Sequence, residues 1–189
     1  MKNLCKTVVF CLLATVLLGT SVSAATFPDV DANAEYAMAV DYVSDLGLMV
    51  GYGDGTFQPD KTVSRAEMAT VLCKMMGEDR DLKQDGSVFS DVPTTHWGNG
   101  YVVKAASLGY LSGYGNGKFG PDDTVTYEQV LTMIINAIGY GEEAGTRGGY
   151  PDGYISIADE FYYTNGLSAQ KGELMSRGKV AMILYNVCR

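Results

Sequence analysis

The decapeptide GYGDGTFQPD at residues 51–60 recurs as GYGNGKFGPD at residues 113–122, with seven of its ten positions identical. A shift of 62 residues also aligns residues 27–77 with residues 89–139 without a gap, and 17 of these 51 positions are identical. Self-similarity at a fixed period indicates tandem copies of one supersecondary unit. The sequence therefore predicts a fold that is assembled from repeats.

Each copy is predicted to fold as a helix, a glycine loop and a second helix. In the first copy Ser64, followed three residues later by Glu67, forms a capping box that marks the start of the second helix. Thr126 and Gln129 take the same places in the second copy. An apolar stripe with the spacing of one helix face follows each cap: Met68, Val71, Leu72, Met75 and Met76, and then Val130, Met133, Ile134, Ala137 and Ile138.

The same register reveals a third, abbreviated copy at the end of the chain. Ser176 stands at the cap position, and the stripe follows at Val180, Ile183, Leu184, Val187 and Cys188. Its loop, LSAQKGEL, lacks the decapeptide, and its first helix is predicted within residues 155–164, with Gly166 as the stop. The predicted organisation is a signal peptide at 1–25 and repeats at 26–78, 88–141 and 149–189.

The first 25 residues have the layout of a secretory signal peptide: Lys2 and Lys6, an apolar run at 8–18, and small residues at 23–25. The run is too short for a transmembrane helix, which needs about 20 residues. We therefore expect a secreted protein of the cell wall or cell surface, with no transmembrane segment after cleavage. Cys73 and Cys188 then remain, either as a disulfide or, as their apolar helical context favours, as buried thiols.

Charge and composition exclude several classes of function. The chain carries a formal charge of -8, and without Lys2 and Lys6 only 12 basic residues face 22 acidic ones. A nucleic-acid partner is not expected, because phosphate contacts need a basic stripe. The single histidine, His96, gives no metal set and no Ser-His-Asp or Cys-His set. We expect no enzymatic activity, no metal and no cofactor.

The glycine loop does not match known ion or phosphate loops. An EF-hand that begins at Asp54 would place Thr56 at position 3 and Arg65 at position 12, where oxygen ligands are required. A P-loop would need a Gly-Lys-Ser/Thr ending. The pattern instead predicts a chain reversal in which glycines take positive φ, Asp54 or Asn116 stands at a turn position, and Phe57 or Phe119 anchors the loop.

These motifs together resemble the S-layer homology repeat. The match rests on FPDV at 27–30, LG at 46–47, the decapeptide, SRAE at 64–67 and HW at 96–97. The resemblance implies a mainly α fold, with three helix-loop-helix repeats around a pseudo-threefold axis and one helix of each in a central three-helix bundle. It also implies noncovalent attachment to cell-wall polysaccharide, often an acidic polymer that bears pyruvate ketals, through grooves between repeats.

Arginines at two helix starts are the leading candidates for ligand contact. Arg65 and Arg177 follow their caps directly, where outward N–H groups and the helix dipole favour an anion. The alternative is that Arg65 pairs with Asp60 or Asp29. Trp97 either stacks on a sugar or fills the core. The predicted ligand-binding residues are Arg65, Arg177, Tyr127, Trp97, Asp29 and Asp91.

The second copy departs from the pattern because Tyr127 replaces the arginine, and the first copy has Glu35 where the second has Trp97. We therefore expect the groove of the second copy to bind an anionic group weakly or to use the Tyr127 ring as a sugar-stacking surface, and the first groove to lack an aromatic platform. Cell-wall polysaccharide and surface-layer proteins are the predicted partners. Two alternatives stay open: a self-associating component of a surface layer, and the anchor remnant of a larger surface enzyme.

Overall fold

The computed structural model describes residues 27–83, 86 and 89–189, so the predicted signal peptide lies outside the described residues. The described part forms seven helices: α1 Ala37–Asp45, α2 Arg65–Met75, α3 Asn99–Ser107, α4 Tyr127–Ala137, α5 Gly141–Thr146, α6 Asp152–Glu160 and α7 Arg177–Cys188. Its extended pairing is limited to isolated β-bridges near the starts of α2, α4 and α7. The predicted mainly α fold is confirmed.

The predicted cap residues Ser64, Thr126 and Ser176 precede the long helices α2, α4 and α7, but the buried Thr126 Oγ1 has no hydrogen-bond partner, so the box at α4 is half formed. At α2 the Ser64 N–H donates to Glu67 Oε2 at 2.8 Å, and the Glu67 N–H donates to Ser64 Oγ at 3.2 Å. At α7 Ser176 Oγ accepts the Lys179 N–H at 3.4 Å, but a lysine cannot return the second bond. The stripes after the caps are buried over their first two turns.

Backbone hydrogen bonds join the three helix starts in a closed ring. The Val63 N–H donates to Met175 O, the Val125 N–H to Val63 O, and the Met175 N–H to Val125 O, each at 3.0 Å. All three side chains are buried. The starts of α2, α4 and α7 are thereby held side by side.

The first helix of each repeat, α1, α3 and α6, packs on the long helix of a different repeat. Helix α1 packs on α7, α3 packs on α2, and α6 packs on α4, so each short helix covers the long helix of another repeat. The contact between the first and third repeats includes the Tyr42 hydroxyl, which donates to Cys188 O at 2.9 Å. No repeat buries its apolar faces alone. These contacts favour the pseudo-threefold arrangement around a central bundle, which stays a prediction.

The glycine loops are chain reversals, as predicted. Gly55 and Gly117 have φ of 82° and 77°, in the left-handed region that glycine tolerates. Asp54 Oδ1 accepts the Thr56 N–H at 3.0 Å, which makes a local turn. Phe57 and Phe119 are fully buried and anchor their loops to the core.

The aspartate of each FxDV motif clamps the loop of its own repeat. Each carboxylate accepts two consecutive backbone N–H groups: Asp29 from Phe57 and Gln58 at 2.9 and 2.7 Å, and Asp91 from Phe119 and Gly120 at 2.9 Å each. Desolvation raises the pKa of both carboxyls, but these donors outweigh it, so each pKa lies below its ordinary value. The charged aspartates therefore stabilise the loops.

The third repeat differs from the prediction in its helices. Helix α6 spans Asp152–Glu160, so it begins before the predicted limits of residues 155–164 and ends inside them. Pro151 precedes the first turn, where a proline is compatible with a helix start, and Tyr162 at φ 59° lies beyond the end, well before Gly166. Helix α5 was not predicted from the sequence.

Cys73 and Cys188 are both free thiols, as their apolar context favoured. The Cys73 Sγ lies 3.6 Å from the Tyr101 carbonyl oxygen. Burial raises the pKa of each thiol to about 11, so both are protonated and unreactive at neutral pH.

The aspartate clamps predict a loss of stability in acid. Because the folded-state pKa values are lowered, the contribution is complete above about pH 4 and disappears as pH falls through the folded pKa. Asp29→Asn and Asp91→Asn should each lower the free energy of unfolding at pH 7 by about 1 kcal/mol, and should flatten its fall below pH 4. Urea unfolding at a series of pH values measures both effects. Asp45→Asn, at an exposed carboxylate outside both clamps, is the control for the loss of one negative charge.

Gln58 and Gly120 occupy matched positions in the two loops, but we expect the two positions to tolerate substitution differently. Gln58 and Gly120 have φ of 57° and 70°, but a Cβ at Gly120 would lie 2.2 Å from Asp123 Oδ2 and 2.7 Å from Tyr114 Cε2. Gln58→Gly should change the free energy of unfolding by less than about 1 kcal/mol, whereas Gly120→Gln should lower it by about 2 kcal/mol or more. Thermal or urea unfolding distinguishes them, and equal effects would contradict the explanation.

Candidate functional site

Two grooves open between repeats, each around one of the predicted arginines. Groove A has a volume of about 220 Å³ and is lined by Arg177, residues 48–52, one face of α2, and Trp97. Groove B has a volume of about 420 Å³ and is lined by Arg65, residues 110–114, one face of α4, and Tyr150 with Tyr154. Each groove thus takes an arginine, a loop with its long helix, and an aromatic residue from three different repeats.

Arg65 joins the start of α2 to the loop of the second repeat. Its Nε donates to Phe119 O and its Nη2 to Ser112 O, both at 2.7 Å. The guanidinium carbon lies 4.7 Å from the centre of the Tyr114 ring and 4.5 Å from that of Phe119. Burial lowers the pKa of Arg65, while Tyr114 and Asp123 act in the opposite direction, and an arginine stays charged under these conditions.

Arg177 makes the same contacts with the loop of the first repeat. Its Nε donates to Phe57 O at 2.7 Å and its Nη2 to Val50 O at 2.8 Å. The guanidinium carbon lies 4.8 Å from the centre of the Tyr52 ring and 4.4 Å from that of Phe57. Burial again lowers the arginine pKa. These bonds use two of the five N–H groups of a guanidinium, so the side chain retains donors for a ligand in the groove.

The expectation that the helix-start N–H groups point outward to an anion is wrong. The Arg65 N–H donates to Asp123 O, and the Ala66 N–H to Pro121 O, both at 2.9 Å. The start of α7 is bound in the same way by the loop of the first repeat. Pairing of Arg65 with Asp60 or Asp29 is also wrong, because backbone carbonyls hold its side chain. The arginine side chain is therefore the cationic group that these helix starts offer.

Trp97 is not a core residue. The residue is 54% exposed, and it lines groove A beside α2. Tyr150, which precedes α6 by the same two positions, is 57% exposed and lines groove B. The aromatic residue of a groove thus comes from a different repeat than its loop. The expectation that Glu35 leaves the first groove without an aromatic platform is therefore wrong, because Trp97 provides it.

Tyr127 takes the place of the arginine at the start of α4. Its N–H donates to Glu173 O at 2.9 Å. Burial raises the pKa of the hydroxyl, and only 7% of the residue is exposed. The ring therefore presents little surface on which a sugar could stack, and ligand contact at Tyr127 stays a prediction.

Asp29 and Asp91 lie behind the loops that they clamp. They contribute to neither set of groove-lining residues. Their carboxylates are already used by backbone N–H groups. Direct contact of either aspartate with a ligand stays a prediction, and the observed bonds give both a positioning role.

Further polar residues of the grooves were not predicted from the sequence. Lys74 lines groove A and donates from Nζ to Gly47 O at 3.1 Å. At the rim, Lys61 Nζ donates to the Tyr52 hydroxyl at 2.8 Å. Asn136 occupies the matching place in groove B. The available signal was the comparison of the two copies position by position, because these surface residues change charge between copies.

No helix within residues 27–83 or 89–189 is long and apolar enough to cross a membrane.

Comparison with known proteins agrees with this geometry. The model of the S-layer homology domain matches residues 26–69 and 88–131. The chain is similar to a cell surface protein of Thermoanaerobacter kivui, with 34% identity over 97% of this chain and 24% of the relative. It is similar to a surface layer protein of Brevibacillus choshinensis, with 36% identity over 76% of this chain and 13% of the relative. It is also similar to a cellulosome-anchoring protein of Acetivibrio thermocellus, with 31% identity over 63% of this chain and 27% of the relative.

The chain therefore spans about a quarter or less of the length of these relatives. The matched segments each contain the FxDV aspartate, the glycine loop, the cap and the start of a long helix, which are the parts that build the grooves. Through residues 26–69 and 88–131 the chain belongs to the S-layer homology domain family.

Proposed function

We propose that this protein anchors noncovalently at the cell surface by binding an acidic cell-wall polysaccharide, and that groove A holds the acidic group. Family membership indicates the cell-surface location. The observation that carries the proposal is that Arg177 and Lys74 line one groove together with the exposed ring of Trp97. Two cations beside an aromatic face fit a sugar that bears a carboxylate.

The charges in groove A favour an anion. Arg177 and Lys74 line it, Lys61 stands at its rim, and the carboxylate that faces them is Glu67. Glu67 already accepts the Ser64 N–H, and its other oxygen lies 3.8 Å from Lys61 Nζ. A ligand carboxylate would gain about 1.5–3 kcal/mol per charge-assisted hydrogen bond before desolvation is subtracted.

The aromatic wall provides the contact that a sugar ring needs. About half of Trp97 is exposed to solvent, so the apolar face of its ring can contact a pyranose ring while the cations bind the acidic substituent. The bonds of Arg177 to Phe57 O and Val50 O fix the guanidinium before a ligand arrives. Such preorganisation reduces the entropy cost of binding.

The relatives support attachment rather than catalysis. One is named as a cellulosome-anchoring protein and another as a surface layer protein. Paired carboxylates for glycoside hydrolysis are missing from the described lining of both grooves, where Glu67 is the acidic residue and is engaged in the helix cap. We therefore infer a binding role for this chain.

Wall binding should depend on the exposed groove residues. Lys74→Ala and Trp97→Ala remove a charge and an aromatic face without touching the loop anchor of Arg177. Each should weaken binding to purified cell walls about tenfold. Co-sedimentation measures this, and Lys83→Ala, at an exposed lysine outside both grooves, is the control.

The acidic substituent is tested in the same assay. Walls from which the pyruvate ketals have been removed by mild acid should bind the chain more weakly, and the Lys74→Ala variant should then lose little further affinity. Unchanged wall binding by the Lys74→Ala/Trp97→Ala double variant would refute groove A as the site. Association of the free chain without wall binding would support the surface-layer component instead.

A further inference from the structure

Grooves A and B share their arginine anchor but differ in charge at matched positions. The three positions are Lys61 and Asp123, Glu67 and Gln129, and Lys74 and Asn136, each pair separated by the 62-residue repeat. In groove A the three cations Lys61, Lys74 and Arg177 face the carboxylate of Glu67. In groove B Arg65 faces the carboxylate of Asp123 and no further charged residue of the described lining.

The rim of each groove is set by the tyrosine that stacks on its arginine. The Tyr52 hydroxyl accepts a hydrogen bond from Lys61 Nζ at 2.8 Å. The Tyr114 hydroxyl instead donates to Asp123 Oδ2 at 2.8 Å. A ligand that approaches the arginine therefore meets a cation at the rim of groove A and a carboxylate at the rim of groove B.

The floor of groove B is neutral where that of groove A is charged. Asn136 Oδ1 accepts from the Tyr154 hydroxyl at 3.1 Å, which leaves the amide Nδ2 as a neutral donor in place of the Lys74 ammonium. The Gln129 side chain replaces Glu67, and its Oε1 accepts the Thr126 N–H at 3.1 Å. These amides suit sugar hydroxyls and acetamido groups.

Groove B is also larger and richer in aromatic residues. Its volume of about 420 Å³ compares with about 220 Å³ for groove A. Tyrosine rings line it on several sides: Tyr110, Tyr114, Tyr150 and Tyr154. Aromatic faces contact the apolar faces of sugars whatever the charge of the polymer. Size and lining both favour an uncharged segment longer than one residue.

We propose that groove B binds an uncharged sugar segment of the polymer whose acidic residue occupies groove A, and that Asp123 and Asn136 determine this preference. The inference rests on the proposed function, because it assigns a ligand class to the second groove of the same anchor. Two grooves that bind different parts of one polymer molecule would hold it more tightly than either groove alone, because the second contact becomes intramolecular.

The test uses two matched probes, the methyl glycoside of an N-acetylhexosamine and the same glycoside with a 4,6-linked pyruvate ketal. Trp97 is the single tryptophan of the chain, so its fluorescence reports groove A. Amide chemical shifts of residues 112–114 report groove B. The ketal should bind groove A at least about fivefold more tightly than the plain glycoside, and groove B should show the reverse order.

Reciprocal variants locate the determinant. Asp123→Lys with Asn136→Lys should raise the ketal-to-glycoside affinity ratio at groove B about tenfold, and Lys61→Asp with Lys74→Asn should lower it similarly at groove A. Lys83→Asn is the control for loss of a lysine charge, and unfolding midpoints check that each variant is folded. Tyr150→Ala should weaken both probes at groove B alike.

The outcomes separate the two proposals. A ketal that strengthens binding at both grooves would overturn this inference and leave the wall anchor intact. Binding of neither probe at groove B, with binding at groove A, would do the same. If neither groove binds either probe, and the chain also fails to bind purified walls, the proposed function falls together with the inference.

Discussion

The ring of backbone hydrogen bonds among Val63, Val125 and Met175 is the constraint on which the other contacts depend. Each residue stands immediately before a helix cap, so the ring fixes where α2, α4 and α7 begin. A side chain at the first position of a long helix then projects onto the loop of the next repeat. Arg65 and Arg177 reach carbonyls there because the ring has already set the distance. The grooves are a consequence of this geometry.

Arginine and glycine loop behave as a matched pair across repeats. The loop at 113–122 is held by Arg65, and the loop at 51–60 by Arg177. Tyr127 faces the third repeat, whose short loop has no decapeptide and carries Ala169 where the ring register places Phe57. A buried tyrosine occupies this position, and Ala169 offers no aromatic ring on which a guanidinium could stack. In this chain the arginine at a helix start is found where the contacted loop is a glycine decapeptide.

Local patterns explain which parts of the structure were predictable. The capping box of Ser64 and the turn at Asp54 depend on residues two or three positions apart, so the sequence predicts them directly. The partners of Arg65 lie in another repeat, 47 and 54 positions away, and nothing in the local pattern points to their carbonyls. For the same reason the sequence did not predict that Trp97 of the second repeat lines the groove of the first repeat. Helix α5 escaped prediction because it has no counterpart in the other repeats from which the template was taken.

In each groove the arginine bonds to a loop, whereas other residues determine the charge at the rim. This separation explains at which positions the two copies differ in charge. A change at Arg65 or Arg177 would break contacts with a loop, because each guanidinium bonds to two carbonyls and stacks on two aromatic rings. The side chains of Lys61 and Asp123 each bond to a tyrosine hydroxyl at the rim, and a hydroxyl can both accept from a cation and donate to a carboxylate. A charge reversal there leaves the anchor intact. The same fold can therefore keep both loops in place while the rims of its two grooves carry opposite charges.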